Sequence, residues 1–313
     1  LIFNWIREAK RFTPKLKALS YTGLRRASAF ESLADYDIVL TTYGTMRRDA
    51  EKLAQFRFQY LILDEAQAIK NADSQNAKAA SLLQGDRRLI LSGTPVENHL
   101  GELWSLFDFI NPGMLGTYAA FKRRFAPPPR AGSNGDRTPD AASLTFLRRT
   151  LRPFILRRKK EEVTPDLPPK FEDTILCEME PEQKQVYQQV KERCRNSVLA
   201  QVKAKGIARS KLHILEALLR LRQAACHPAL ISPDYANMQS GKISAVVSML
   251  DELEDEGHKA LIFSQFTSLL AIVRKEMDQL GKKYEYLDGQ TRDREARVDH
   301  FQNDPKCRFF LIS

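Results

Sequence analysis

Leu61-Ile62-Leu63-Asp64-Glu65-Ala66-Gln67-Ala68-Ile69-Lys70-Asn71 runs from apolar side chains straight into two adjacent carboxylates. Such a run reads as a buried parallel strand that delivers its acids to the C-terminal edge of the sheet, where open α/β sheets place their ligands. Adjacent residues on an emerging strand point in different directions. Asp64 can therefore hold a metal-bound water while Glu65 faces an attacking water. An apolar triplet before Asp-Glu also arises by chance, as a strand end with solvated acids, so the surrounding stretches have to decide.

Working outward, short apolar runs alternate with helical patterns. Expected helices cover Trp5 to Phe12, Arg25 to Leu33 and Ser74 to Leu83, and expected strands cover Leu16 to Tyr21, Ile38 to Thr41 and Arg88 to Leu91. Strand and helix in alternation with short connections predict parallel βαβ units. Gly101 to Ile110 places Leu103, Leu106, Phe107 and Ile110 at helical spacing, as a buried packing helix stopped by Asn111-Pro112-Gly113. The Pro, Gly, Ser and Asn content of Pro127 to Pro139 predicts a surface loop. Pro181 to Gln201, with Val186, Val190, Cys194 and Val198 on one stripe, and the Leu-rich Lys211 to Ala225 predict a helical insertion. Alternation then resumes. Helices are expected over Ile243 to Glu254, Leu269 to Leu280 and Arg292 to Phe301, with strands over Ala260 to Phe263, Tyr284 to Leu287 and the final residues. The organisation expected is 1–112 as a first lobe, 113–170 as a basic insertion and linker, 171–235 as a helical insertion and 236–313 as a second lobe.

At 313 residues and 43% hydrophobic, the chain can build two cores. Its formal charge of +10 is concentrated: residues 121–160 hold twelve Lys or Arg against Asp136 and Asp140, which accounts for the whole excess. Clustered cations in an otherwise neutral chain suit a phosphate polymer, because binding is driven by counterion release. A solvated linker is the plainer reading. No apolar run reaches a membrane-spanning length, and no membrane partner is expected. Cys177, Cys194, Cys226 and Cys307 are far apart, and Cys226 has only His227 beside it, so no zinc site and a reducing compartment are expected. Leu1 reads as the end of a strand, and Arg308 to Ser313 as another strand, so both ends are expected to be cut.

Ser92-Gly93-Thr94-Pro95 follows the strand after the acids and brings two hydroxyls to the same sheet edge. Hydroxyls there can bond to the acids and to substrate. With these residues the chain resembles the motor of the Swi/Snf-like family of superfamily 2 helicase-related ATPases, and the match runs in order along it. Asp64-Glu65-Ala66-Gln67 with Ile69-Lys70-Asn71 resembles motif II. Ser92-Gly93-Thr94-Pro95 with Asn98, Glu102-Leu103-Trp104-Ser105-Leu106 and Pro112 resembles motif III and its extension. Phe154-Ile155-Leu156-Arg157-Arg158 with Lys160, then Leu167-Pro168-Pro169-Lys170, resembles the family's linker. Leu221-Arg222-Gln223 with His227-Pro228 resembles its second-lobe insertion, Ile262-Phe263-Ser264-Gln265-Phe266 motif IV, and Leu287-Asp288-Gly289 with Thr291 the turn after it.

The resemblance implies an α/β fold of two RecA-like lobes with parallel sheets, both truncated, plus helical insertions. It implies ATP and Mg²⁺ as cofactors and duplex DNA as partner, with the lobes closing on ATP and walking along one strand. DNA-bound proteins would be remodelled or stripped rather than strands unwound. Asp64 would fix Mg²⁺ through its waters, Glu65 would orient the hydrolytic water, and Gln67 would sense the γ-phosphate. Ser92 and Thr94 would couple nucleotide state to loop position. Thr41, Thr42 and Tyr43 resemble a DNA-contacting motif, with a strand-end cap as the alternative. Ser264 and Gln265 end a strand in the second lobe, and Gly289 to Thr291 would open a helix whose N–H groups suit a phosphate, ordinary capping being the alternative. Lys70 and Asn71 touch DNA or cap, and Arg157 and Arg158 lie on the DNA path or at the hinge.

No G-x-x-x-x-G-K-[ST] stretch occurs. Ser240-Gly241-Lys242-Ile243-Ser244 lacks the spacing and reads as a helix start. Similar proteins carry the phosphate loop before the position of Leu1 and an arginine motif after that of Ser313, so the 313-residue piece alone is expected to be nearly inactive. Two rival readings are a non-catalytic DNA-binding scaffold and an RNA helicase or restriction-type motor. The Gln67 form of the tetrapeptide looks more bacterial than eukaryotic, which favours a cytoplasmic, nucleoid-associated protein over a nuclear one.

Overall fold

The computed structural model describes residues 2–23, 26–94, 100–125, 141–164 and 166–313. The chain forms two compact units, Leu1–Pro168 and Pro169–Ser313, divided within the Leu167 to Lys170 stretch.

Unit one begins with helix α1 (Ile2–Phe12), then β1 (Ala18–Ser20), α2 (Arg26–Glu31), β2 (Ile38–Leu40), α3 (Tyr43–Arg48), α4 (Ala50–Leu53), β3 (Arg57–Leu63), α5 (Gln75–Leu82) and β4 (Gln84–Ile90). The strand end expected at the start of the chain gives way to helix, because Ile2, Phe3, Ile6 and Ala9 are the partly buried positions and they recur at helical spacing. Leu1 and Arg25 lie outside the described residues. β1 pairs with β2, and β3 with β4, both parallel. The register sets Leu61 against Arg88 and Leu63 against Ile90, so residues 64 and 92 leave neighbouring strands at the same edge.

The expectation of a buried β3 holds for one face only. Leu61 and Leu63 are each 8% exposed, whereas Tyr60 and Ile62 are 49% and 51% exposed. The inward residues join Tyr21, Leu33, Met46, Ile69, Ala80 and Leu106 in the main core of the unit. Ser74 accepts a hydrogen bond from the N–H of Ala77 and so caps α5, which places that helix start one residue from its expected position.

Helices α6 (Leu100–Ile110), α7 (Tyr118–Phe125) and α8 (Ala141–Leu151) build a second, smaller core from Leu103, Phe107, Phe121, Phe125, Leu147 and Leu151. The reading of the sequence anticipated α6 but assigned neither α7 nor α8. Their signal is the i, i+4 spacing of Phe121 with Phe125 and of Leu147 with Leu151. The opposite faces carry the cations Lys122, Arg123, Arg124, Arg148 and Arg149, all exposed. The Pro127 to Pro139 loop lies outside the described residues. A short helix, α9 (Lys160–Val163), follows the exposed stretch 155–159.

Unit two opens with α10 (Pro181–Cys226), which joins the two expected insertion helices. Gly206 interrupts it at φ 76° and ψ 164°, a conformation that glycine tolerates and other residues avoid, so the helix is broken in two there. Val186 is buried, and Val190, Cys194 and Val198 are partly buried, which is the stripe the spacing predicted. Next come α11 (Gly241–Asp255), β5 (Ala260–Phe263), α12 (Thr267–Gln279), β6 (Tyr284–Leu287), α13 (Arg294–Asn303) and β7 (Phe309–Ile312). The sheet is parallel with β7 between β5 and β6. Phe309 and Leu311 on the central strand are fully buried against Leu250, Leu270, Val273 and Met277. Among the described residues, no helix is long and apolar enough to cross a membrane.

Candidate functional site

Strand β3 ends at Leu63, and the next residues leave the extended conformation at once. Glu65 has φ 51° and ψ 50°, the only non-glycine residue with positive φ among those described. The left-handed step turns the chain sideways toward β4. Leu91 donates its N–H to the carbonyl of Leu63, and Ala66 donates its N–H to the carbonyl of Leu91. A 3-10 turn over Ala66–Ile69 follows, with Ala66 and Ile69 buried. Non-glycine residues in this region of backbone space are strained and persist where surrounding contacts over-determine them.

Those contacts come from α6. Ser105 donates its buried hydroxyl to the carbonyl of Ile69 at 2.6 Å, and Lys70 Nζ lies 3.8 Å from the carboxylate of Glu102, which is 4% exposed. Residues of the motif III extension thus hold the turn that follows the acids.

Within the turn, polar side chains form a relay. Gln67 donates its Nε2–H to Glu65 Oε2 at 2.7 Å, and Ser92 donates its hydroxyl to Gln67 Oε1 at 3.3 Å. The N–H of Thr94 donates in turn to Ser92 Oγ at 3.2 Å. The two strand ends are therefore connected through one amide: Ser92 reaches Glu65 by way of Gln67 rather than directly. Pro95 and Asn98 lie outside the described residues.

Asp64 is held from three sides. Its Oδ1 accepts the N–H of Glu65 at 2.9 Å, its Oδ2 accepts the indole Nε1–H of Trp5 at 2.9 Å, and its backbone carbonyl accepts the Tyr43 hydroxyl at 2.9 Å. Burial, with the Asp64 and Glu65 charges adding to it, pushes the Tyr43 phenol well above its ordinary value, so it serves as a hydrogen-bond donor throughout the physiological range. Each carboxylate oxygen keeps a second acceptor position. Among the described residues no group of three or more His, Cys, Asp or Glu is arranged to hold a metal ion by itself. A hard cation at Asp64 would take its other ligands from phosphate and water, the usual manner of Mg²⁺, and the donor set fits it.

Of the remaining candidates, Thr41, Thr42, Asn71 and Ser264 are occupied within their own units. Thr41 donates its hydroxyl to the carbonyl of Tyr21, and Thr42 accepts the N–H of Thr45 as the N-cap of α3. Asn71 accepts the N–H of Asp73 in a local turn. Ser264 accepts the N–H of Phe266, while Gln265 is exposed. Arg157 and Arg158 are exposed in the stretch before α9.

The expected helix N-terminus at Gly289 to Thr291 is corrected. α13 starts at Arg294, and the carboxylate of Asp288 accepts the N–H groups of Gln290 and Thr291 at 2.9 and 3.0 Å and the Thr291 hydroxyl at 2.9 Å. These bonds hold the Asp288 carboxyl below the usual carboxylate range, that from the Thr291 hydroxyl most of all. Two of the N–H groups proposed for a phosphate are thus spent on a neighbouring anion.

The reading of the sequence missed Trp5. An indole on an exposed helix carries no local mark of a partner 59 residues away.

The site is thus a parallel α/β strand edge that gathers paired acids, a bridging amide and hydroxyls. Comparison with known families makes this specific: the SNF2-related domain matches residues 1–230 and the helicase conserved C-terminal domain residues 241–313. The chain belongs to the SNF2-related family, with its α/β lobes of parallel sheet.

It is 33% identical to the TATA-binding protein-associated factor MOT1 of Saccharomyces cerevisiae, over 99% of the chain and 19% of that protein. It is also 33% identical, over 96% of the chain and 33% of the relative, to a Bacillus subtilis protein whose provisional name is ATP-dependent helicase/translocase YwqA. The solved Sulfolobus solfataricus SWI2/SNF2 ATPase core in complex with dsDNA is 35% identical, covers 99% of the chain and 64% of the solved one, and superposes with a TM-score of 0.48. The chain spans 19% to 33% of the length of these curated relatives.

Proposed function

We propose that the protein hydrolyses ATP in response to duplex DNA and uses the cycle to move along the duplex and displace proteins bound to it. The observation that carries this reading is the Ser92–Gln67–Glu65 relay beside the anchored Asp64, at one edge of a parallel sheet in an SNF2-related chain. Glu65 holds and polarises the attacking water. Gln67 and Ser92 fix the direction of the Glu65 carboxylate, and a phosphate group that drew on either would shift the loop after β4 with it. Asp64 orients water around Mg²⁺, which when bound shields the charge of the phosphate oxygens. Displacement of DNA-bound proteins rests on similarity to relatives such as MOT1, named as a TATA-binding protein-associated factor.

The test is ATP turnover by the full-length protein with and without duplex DNA, wild type beside Glu65→Gln. DNA should stimulate the wild type, and loss of a positioned base should lower turnover by roughly 10²- to 10⁴-fold while nucleotide still binds. DNA binding without turnover by either protein would establish a scaffold instead. Stronger stimulation by RNA would reassign the polymer.

A further inference from the structure

Asp64 Oδ2 is met by a donor 59 residues away in sequence: the indole of Trp5, on α1. We propose that Trp5 is a positioning residue for the Asp64 carboxylate, fixing its plane so that the free acceptor positions of both oxygens face a hydrated divalent cation. The proposal rests on the reading of Asp64 as the anchor of that cation.

The geometry argues for a directed contact. Donors sit on opposite carboxylate oxygens, Glu65 N–H on Oδ1 and Trp5 Nε1–H on Oδ2, each at 2.9 Å. A carboxylate held by one N–H can still swing about its terminal torsion, a broad and soft rotation, whereas two N–H groups on its two oxygens define its plane. Indole is a donor only, so it orients the acid without competing for the cation, and hydrogen bonds to an ionised acceptor are among the stronger ones. Tyr43 acts on the backbone of the same residue and leaves the carboxylate torsion untouched.

Packing offers no equal explanation for the indole. No residue of α1 is buried, and Trp5 itself is 39% exposed, so core burial does not hold the ring at the acid. Partners one shell out from a metal orient the group that meets it and tune its affinity.

The experiment uses the full-length protein with Mn²⁺ and a non-hydrolysable ATP analogue, reading free Mn²⁺ by electron paramagnetic resonance. Trp5→Phe keeps a ring and loses the N–H. Trp5→His restores an N–H, since imidazole Nε2 is the same number of bonds from Cβ as indole Nε1. Measurements are made where imidazole is neutral.

Trp5→Phe should weaken Mn²⁺ binding by about three- to tenfold, at or below the lower end of losses seen for such partners because water intervenes here. Trp5→His should recover most of that loss. Nucleotide affinity without metal and amide exchange of the β3–β4 ladder should stay at wild-type values in both. Wild-type Mn²⁺ affinity in Trp5→Phe overturns the proposal, as does an equal loss in Trp5→Phe and Trp5→His, which would trace the effect to the ring. Asp64→Asn separates the two levels: if it binds Mn²⁺ like wild type, the reading of Asp64 fails first and takes the proposal with it.

Discussion

The left-handed conformation of Glu65 sets two substitutions against each other. Glu65→Ala and Glu65→Gly both remove the carboxylate and its bond to Gln67, so the difference between them isolates the backbone. At φ 51° and ψ 50° a side chain bearing Cβ costs about 1–2 kcal/mol. Glycine escapes that cost but gives back about 0.4–1 kcal/mol through the greater freedom of its unfolded chain. Glu65→Gly should therefore be the more stable by about 0.5–1 kcal/mol, the reverse of the usual order in regular structure. Amide exchange at Leu91, whose N–H bonds to the Leu63 carbonyl beside the turn, reads this directly. Exchange should be about two- to fivefold slower in Glu65→Gly than in Glu65→Ala. Neither variant should turn over ATP, so stability and activity part company at a strained functional position. Equal protection, or greater protection in Glu65→Ala, would refute the left-handed turn and the side-chain relay built on it.

Three further outcomes are expected. In Gly241→Ala a Cβ would lie 1.9 Å from the backbone oxygen of Glu178, so denaturant unfolding of unit two should show a loss of at least about 2 kcal/mol, and unchanged stability would contradict that close approach. Burial holds the His227 imidazole below its ordinary value of 6.5, with Met238 and Glu276 opposing, so the folded form prefers it neutral; its contribution is present above that value and lost as pH falls through the lowered one. His227→Asn, which keeps an acceptor for the Ala229 N–H, should flatten the acid limb of stability, and parallel curves for both proteins would count against burial as the cause. Replacing three of Arg148, Arg149, Arg157, Arg158 and Lys159 by Ala should shallow the log–log salt dependence of DNA binding by about one unit per lost phosphate contact, while an unchanged slope would make them a solvated surface.

Local pattern carried a good deal of this. The apolar run before Asp64, the helix expected over Ser74 to Leu83 and the reading of Ser240-Gly241-Lys242 as a helix start all rest on spacing and backbone preference, which neighbouring residues determine among themselves. So do β5 and β6, whose bounds match those expected. The two acids and the two hydroxyls reach one edge because parallel strands run in the same direction and so end on the same side of their sheet.

Which polar groups meet at that edge was a different question. Gln67 could sense a phosphate or bridge Glu65 to Ser92, and its identity is the same in both cases. Asp288 could flank a phosphate site or consume its N–H groups, and only the turn that wraps Gln290 and Thr291 onto the carboxylate decided it. Trp5 had no mark at all. Hydrophobic periodicity encodes which face of an element is buried, because burial repeats with the element's own pitch. A hydrogen bond between residues 5 and 64 depends on where two elements come to rest against each other, and no repeat within either one carries that information.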